Sequence, residues 1–254
     1  VLLWVGCSGA FHPRYRDVAR AMVKILKTAG VEFAILGKEE LCCGDQARRL
    51  GDEALFLDLA RRNISRFRKY DIQTIVALCP HCFNTMKNEY PGVEDNPGSI
   101  SGNPLEVVHA MKFVWDLIQQ RRISLKYPVK ERTVVHDPCY LGRVNHIYEP
   151  LRDVIRAVPG IEFKELERSR ESGFCCGGGG GRMWLHERLG QKINRLRAEE
   201  VQASNVEMVG TACPYCLTML DEGIKSLEME RSPEVLDILE IVASSIGQEE
   251  TSKR

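Results

Sequence analysis

The ten cysteines of this 254-residue chain occur in two copies of one ordered pattern. Each copy has a single cysteine, then a vicinal pair followed by glycine, then a C-P-x-C motif. The second copy follows the first at a spacing of 132 to 134 residues. Thiols in so constant a register indicate coordination or redox chemistry, because packing alone would accept alanine or valine instead. The first thiol set is Cys7, Cys42, Cys43, Cys79 and Cys82, and the second is Cys139, Cys175, Cys176, Cys213 and Cys216.

Four chemistries compete for five thiols. A tetrahedral structural zinc is satisfied by four thiolates and leaves the fifth without a role. The motifs C-P-H-C and C-P-Y-C occur in thioredoxin-like dithiol oxidoreductases, but that reaction leaves the other three thiols of each set unexplained. Disulfide pairing would strand one thiol per set, since five is odd. An iron–sulfur cluster uses four thiolates, and a fifth permits a more open, non-cubane arrangement, so the count favours iron and sulfide.

Strand and helix patterns alternate around these cysteines, and both halves show the same order. Such alternation implies parallel sheets built from βαβ units, where residues at the carboxyl ends of the strands meet. We therefore predict an α/β protein with two tandem, homologous Rossmann-like domains related by a pseudo-twofold axis. The predicted strands include Val1–Gly6, Val31–Leu36 and Thr74–Leu78, and the predicted helices include Glu106–Ile118, Leu185–Leu196 and Glu234–Val242.

The repeat also predicts the domain boundaries. Residues 1–120 form the first cysteine-rich domain, called the first repeat below, and residues 132–246 form the second repeat. The linker is predicted at 121–131, a surface loop at 90–104, and a polar tail at 247–254.

Four segments carry a resemblance to a known family. LCCGDQ at 41–46 with CPHC at 79–82, and GFCCGGGGGRMW at 173–184 with CPYC at 213–216, resemble the duplicated CCG domain of the catalytic subunit of heterodisulfide reductase and related iron–sulfur oxidoreductases. The resemblance extends over essentially the whole chain. It implies two [4Fe–4S] clusters, one per repeat and non-cubane, with all ten cysteines as ligands. Gly44, Gly177 and Gly178 are expected to pack against the clusters and bring backbone N–H groups to the sulfurs.

The resemblance implies a redox subunit of a heterodisulfide-reductase-like complex that reduces a disulfide or a similar acceptor. A pure electron-transfer relay between a flavoprotein or ferredoxin and a reductase or quinone pool is the alternative, and a thioredoxin-like dithiol or zinc-binding protein is the second. Electrons are expected from a ferredoxin-like domain or subunit or from a flavoprotein, because no flavin or nicotinamide motif is recognisable. His12, His81 and His136 are candidate proton donors, although a helix-start or strand-end histidine bonded to backbone explains them equally well.

Composition excludes some classes of function. Lys plus Arg equals Asp plus Glu at 35 each, so nothing predicts nucleic-acid binding. We find neither a signal peptide nor the ~20 apolar residues of a membrane span. A reducing cytoplasm is therefore the predicted location, with any membrane association through a partner, and there ten cysteines favour metal binding or catalysis over disulfides. The chain opens inside an apolar run at Val1, and we expect a ferredoxin-like domain to have been trimmed away or to lie on a partner.

Overall fold

The structure, a computed structural model, describes residues 1–93, 105–185 and 190–246, together with the backbone of 99–100 and 103–104. Its strands are β1 (Leu2–Trp4), β2 (Thr74–Ala77), β3 (Ser99–Ile100), β4 (Asn103–Pro104), β5 (Glu106–His109), β6 (Arg132–Val135), β7 (Glu162–Lys164), β8 (Met208–Thr211) and β9 (Glu234–Asp237). Its α-helices are α1 (Gly6–Phe11), α2 (Pro13–Thr28), α3 (Asp45–Arg49), α4 (Glu53–Lys69), α5 (Pro80–Asn84), α6 (Ala110–Gln119), α7 (Gly142–Asn145), α8 (Glu149–Ala157), α9 (Ile193–Ala203), α10 (Pro214–Lys225) and α11 (Ile238–Ile246).

Two parallel sheets organise the described part of the chain. The sheet of the first repeat has the strand order β1-β2-β5, and that of the second has the order β7-β6-β8-β9. Strands β2 and β8 lie inside their sheets and are apolar, as expected for strands covered on both faces. The predicted α/β class with parallel sheets is confirmed, while the pseudo-twofold axis stays a prediction.

Local sequence explains where the long helices begin. Pro13 occupies the first turn of α2, where its missing N–H costs nothing. Asp52 caps α4 by accepting a hydrogen bond from the Leu55 backbone N–H at 2.9 Å. The apolar stripe of α2 is buried, with Val18 and Met22 at its centre, so the helix is held by packing on the core.

The last helix of each repeat packs against the other repeat. Helix α11 lies on α2, and α6 lies on α8. The Lys24 ammonium also donates to the Ala243 carbonyl at 2.7 Å. The domain boundaries stay a prediction, and this exchange of terminal helices joins the two repeats through a shared core.

Four predicted elements differ from the structure. Val31–Leu36 is not a strand: Ala34 forms a single bridge with Leu2, and Ile35 is 53% exposed, so the segment has too few partners for a ladder. Glu106 and Glu234 begin strands, β5 and β9, and the helices start only after them. At those starts the side chains of His109 and Asp237 accept backbone N–H groups.

The helix predicted over Leu185–Leu196 begins only at Ile193, and Leu185 is exposed and non-helical. Residues 186–189 lie outside the described residues, as do 94–98 and 101–102 of the predicted surface loop. The predicted polar tail, 247–254, lies outside them as well.

Candidate metal centre

Parallel strands bring the thiols of each set to one edge of a sheet. Cys7 follows β1 and Cys79 follows the neighbouring β2. Likewise, Cys139 follows β6 and Cys213 follows its neighbour β8. The C-P-x-C motifs then begin helices α5 and α10, each with its first cysteine at the N-cap and proline in the first turn. Sequence reasoning anticipated this edge, because open parallel sheets collect ligands there.

Within each set, every thiol is close enough to the next for the two to shift each other's pKa. Both sets follow the same order: the single cysteine, the vicinal pair, then the last and first cysteines of C-P-x-C. In the second set, the Sγ atoms of Cys176 and Cys216 are 3.3 Å apart. The first row runs Cys7, Cys42, Cys43, Cys82, Cys79, and the second runs Cys139, Cys175, Cys176, Cys216, Cys213.

The two sets also adjoin each other. Cys79 and Cys213, the first cysteines of the two C-P-x-C motifs, are both buried and are close enough for each to shift the pKa of the other. All ten thiols therefore form one continuous row across the junction of the repeats. Cys7, at one end, is exposed, and Cys139, at the other, is half-buried.

Mutual hydrogen bonding favours the thiolate form at the second position of each row. The pKa of Cys42 falls to about 3 because Cys43 and Cys7 donate to its sulfur. The pKa of Cys175 falls to about 2 because Cys139 and Cys176 do the same. Thiolates are the form in which cysteine binds metal.

Glycines after the vicinal pairs let the backbone reach these sulfurs. The N–H of Gly44 donates to Cys42 Sγ at 3.4 Å, and that of Gly177 donates to Cys175 Sγ at 3.3 Å. Both glycines have φ of +87°, and a Cβ on either would come within 2.9 Å of a neighbouring side chain. A Cβ on Gly178 would come within 2.9 Å of Met219.

Trp4 places an unused donor beside the first set. Its indole Nε1 is buried and has no hydrogen-bond partner. A Cβ built on Gly6 would lie 3.9 Å from this nitrogen and 3.7 Å from Cys82 Sγ, so Trp4 and the thiol border the same space. Sequence reasoning missed Trp4, although it stands three residues before Cys7, as His136 stands three residues before Cys139.

His136 is the corresponding donor at the second set. Its Nδ1 accepts a hydrogen bond from Arg197 Nε at 3.2 Å. Burial and the Arg197 charge lower its pKa to about 3, so the ring is neutral and its hydrogen is assigned to Nε2. That nitrogen has no protein partner. The ring lies within 4.8 Å of the Cys176 and Cys216 sulfurs. A protonated Nε2 can donate to sulfur but cannot coordinate a metal.

His81 lies between the two repeats. It is 4% exposed, and its Nδ1 lies 2.9 Å from Asp45 Oδ2. Its ring stacks on Tyr140 at 4.1 Å and contacts Tyr215 edge-on at 4.6 Å. Burial disfavours the charged ring, but the bond to Asp45 and the nearby Cys79 thiolate outweigh it and raise the pKa of His81. The structure thus brings His81 and His136 to the thiols, whereas His12 is exposed at the start of α2 and does not line the first set's cavity.

An α/β fold with two adjoining five-thiol sites at the carboxyl ends of its strands defines a class of duplicated cysteine-rich domains. The family described as CCG: Cysteine-rich domain matches residues 1–87 and 133–221. The chain therefore belongs to this family.

Three curated proteins illustrate the similarity. A Bacillus subtilis (strain 168) protein named "Probable iron-sulfur-binding oxidoreductase FadF" is 43% identical over 245 residues, covering 96% of this chain and 34% of that protein. The "EtfAB:quinone oxidoreductase" of Syntrophomonas wolfei subsp. wolfei is 40% identical, covering 95% and 34%. One subunit of the "Dihydromethanophenazine:CoB--CoM heterodisulfide reductase" of Methanosarcina barkeri is 31% identical, covering 97% and 59%. The chain spans about a third of the first two. Of the described helices, none is long and apolar enough to cross a membrane.

Proposed function

We propose that each thiol set holds one iron–sulfur cluster, a non-cubane [4Fe–4S] unit, and that the chain is the electron-transferring part of an iron–sulfur oxidoreductase. The adjacency of the two C-P-x-C motifs carries this proposal. The His81 and Tyr215 rings, each between the two cysteines of its motif, have centroids 4.6 Å apart, and the buried Cys79 and Cys213 thiols shift each other's pKa. This adjacency makes the two sites immediate neighbours, so electrons held at one site are within reach of the other. Two adjoining one-electron sites suit an enzyme that must join single-electron and two-electron chemistry.

The residues present fit such clusters. Five thiols per set exceed what a tetrahedral zinc uses, and the vicinal cysteines deliver two sulfurs from one short segment. The indole N–H of Trp4 and the imidazole N–H of His136 are buried beside thiols and have no protein acceptor. Inorganic sulfide would supply that acceptor, and such hydrogen bonds tune the potential of a cluster. When bound, the clusters would accept and release single electrons.

The chain's own residues would hold and shield these groups. The cysteines that meet at the junction, Cys79 and Cys213, are buried, and the stacked ring of His81 covers the space between the repeats. Water is therefore kept from the junction. The exposed Cys7 leaves one end of the row open to a redox partner, for which we propose a ferredoxin-like domain or subunit or a flavoprotein.

The names of the relatives with 43% and 40% identity favour the first candidate, in which the chain relays electrons to a partner. Disulfide reduction is the second candidate, and the 31% identical relative from a heterodisulfide reductase favours it. His81 would be its proton donor, since its Asp45-bonded ring lies between the two sets.

Electron acceptance tests the proposal. The anaerobically purified chain, monitored by its visible absorbance, should be reduced by a low-potential viologen dye or by reduced ferredoxin but not by NADH. Adding a small disulfide to the reduced chain separates the candidates: reoxidation with thiol release supports the reductase, and its absence supports the relay. A chain that takes no electrons from either donor, or that turns over rapidly with NADH alone, would contradict the proposal.

A further inference from the structure

The second repeat buries two arginines completely, and they use their guanidinium groups differently. Arg152 and Arg197 are both 0% exposed. Every guanidinium nitrogen of Arg152 donates to a carboxylate, that of Asp137 or that of Glu165. Arg152 therefore has the full pairing that a buried charge requires, and the stability of the fold accounts for it.

Arg197 is less completely paired. Its Nη1 lies 2.7 Å from the carboxylate of Glu200 and donates to the carbonyl of Arg168 at 3.1 Å. Its Nε donates to the neutral ring of His136, and its Nη2 has no partner among the described residues. A buried cation that uses one donor on a neutral ring and leaves another unused stabilises a fold less than one paired throughout with carboxylates. Charge pairing alone therefore does not account for Arg197.

The hydrogen bond from Arg197 fixes the chemistry of the His136 ring. A neutral imidazole can carry its hydrogen on either nitrogen, and the nitrogen without hydrogen can accept a hydrogen bond or bind a metal. Because an arginine in a protein keeps its protons, Nδ1 has to be the acceptor and Nε2 is assigned the hydrogen. The guanidinium is itself held by Glu200, so the ring is also held in place. The Nε2–H group is thereby kept as a donor within 4.8 Å of the Cys176 and Cys216 sulfurs.

The first repeat has a buried donor without an arginine. Trp4 stands in the register of the histidine, and an indole N–H can only donate. The glycine after each vicinal pair faces a helix, at Phe56 in the first repeat and at Ile193 in the second. Four residues further along these helices lie Ala60 and Arg197. A ring that can only donate is thus matched with a small side chain, and a ring with two tautomers is matched with an arginine.

We propose that Arg197 is a positioning residue for the cluster of the second thiol set: it acts through His136 to keep an N–H donor directed at that site. A hydrogen bond to sulfur favours the reduced, more negative state of a cluster and so raises its reduction potential. The inference rests on the proposed function, because it requires a cluster in the second thiol set. It assigns the potential of that cluster in part to a residue that is not a ligand.

A double-mutant cycle on the anaerobically purified chain tests the inference. His136→Leu and Arg197→Met should each lower the reduction potential of the second set's cluster, measured by a titration followed by EPR, while the cluster of the first set keeps its potential. Loss of a positive charge lowers a potential by itself, so the cycle separates charge from positioning. Arg197→Met should lower the potential less in the His136→Leu background than in the unaltered chain. An equal effect in both backgrounds would show that Arg197 acts by its charge alone, and would overturn the inference.

ENDOR spectra before and after exchange into deuterated water report on the donor itself. The reduced chain should show an exchangeable proton coupled to the second set's cluster, and this coupling should be lost in His136→Leu and weakened in Arg197→Met. Arg197→Lys keeps a positive charge beside Glu200 if the methionine variant does not fold, and it should weaken the same coupling. Arg168→Met is the matched control, because it removes the other arginine that pairs with Glu200 and should leave the coupling unchanged.

The outcomes separate this inference from the proposed function. Absence of iron and sulfide from the unaltered chain would contradict the proposed function. An unchanged proton coupling in folded Arg197→Met or Arg197→Lys, in a chain that holds both clusters, would contradict the role of Arg197 alone.

Discussion

The two thiol sets share one order of sulfur contacts but differ in the side chains around them. Trp4 stands in the first repeat where His136 stands in the second, and both leave a ring N–H unpartnered. His81, paired with Asp45 in the first repeat, corresponds to Tyr215 in the second. The cysteines thus set where the sulfurs lie, and their neighbours make the two sites chemically unequal. If both sets hold clusters, these different neighbours should give the two clusters different reduction potentials.

The repeats also differ in the side-chain interactions at the end of the strand that precedes the first cysteine. In the second repeat, Asp137 pairs with the fully buried Arg152 at 2.7 Å, and Arg152 also binds Glu165. In the first repeat the corresponding residues are Val5 and Ala19, and both border Gly9. A buried ion pair in one copy therefore replaces an apolar contact in the other, so the two copies should respond differently to mutation.

Loss of one vicinal thiol should have the largest effect. Cys43→Ser or Cys176→Ser removes the fifth sulfur from one set only, and should change the cluster type there while the other set keeps its own. EPR and Mössbauer spectra of the two variants should therefore change in different components. Unchanged spectra in both would show that the fifth thiol is not a ligand.

Removal of the buried Arg152 should have the next largest effect, on the free energy of unfolding. Arg152→Ala leaves Asp137 buried without its partner, and should lower the free energy of unfolding by about 3–5 kcal/mol. Arg132→Ala is the matched control: it breaks the exposed pair with Glu207 and should cost less than about 1 kcal/mol. Chemical denaturation measures both. Equal, small losses would show that the second repeat does not depend on its buried pair.

Asp237, at the end of β9, should have a smaller and pH-dependent effect on the free energy of unfolding. Burial raises the pKa of Asp237 to about 8, with Glu240 adding to the rise and Arg14 and Tyr15 opposing it. An unfolded aspartate has a pKa of about 3.9, so this contribution to stability is full below about pH 4 and is lost as the pH rises to about 8. Between pH 5 and pH 8.5 the unaltered chain should therefore lose at least about 1 kcal/mol more stability than Asp237→Asn. Parallel pH profiles of the two unfolding midpoints would contradict this.

Much of the fold and of the thiol sites could be predicted from the sequence alone. The parts that could not be predicted have physical reasons. The thiol sets were predictable because the ten cysteines repeat in one order at one spacing, which packing alone does not require. Val31–Leu36 was misjudged because apolar composition does not reveal whether a neighbouring strand is there to pair with. Trp4 was missed because tryptophan is ordinarily a core residue. The one signal for it in the sequence is that it stands three residues before Cys7, as His136 stands three residues before Cys139.

The adjacency of the two C-P-x-C motifs could not be foreseen, because it depends on how the two repeats pack. The same holds for the packing of helices α6 and α11 against the opposite repeat. Duplication predicts two similar sites, but only tertiary structure shows that they adjoin.

The metal and sulfide content of anaerobically purified chain tests the central claim most directly. If both thiol sets hold [4Fe–4S] units, iron and acid-labile sulfide should each be present at about 8 atoms per chain, with little zinc. Stoichiometric zinc without sulfide would contradict the account.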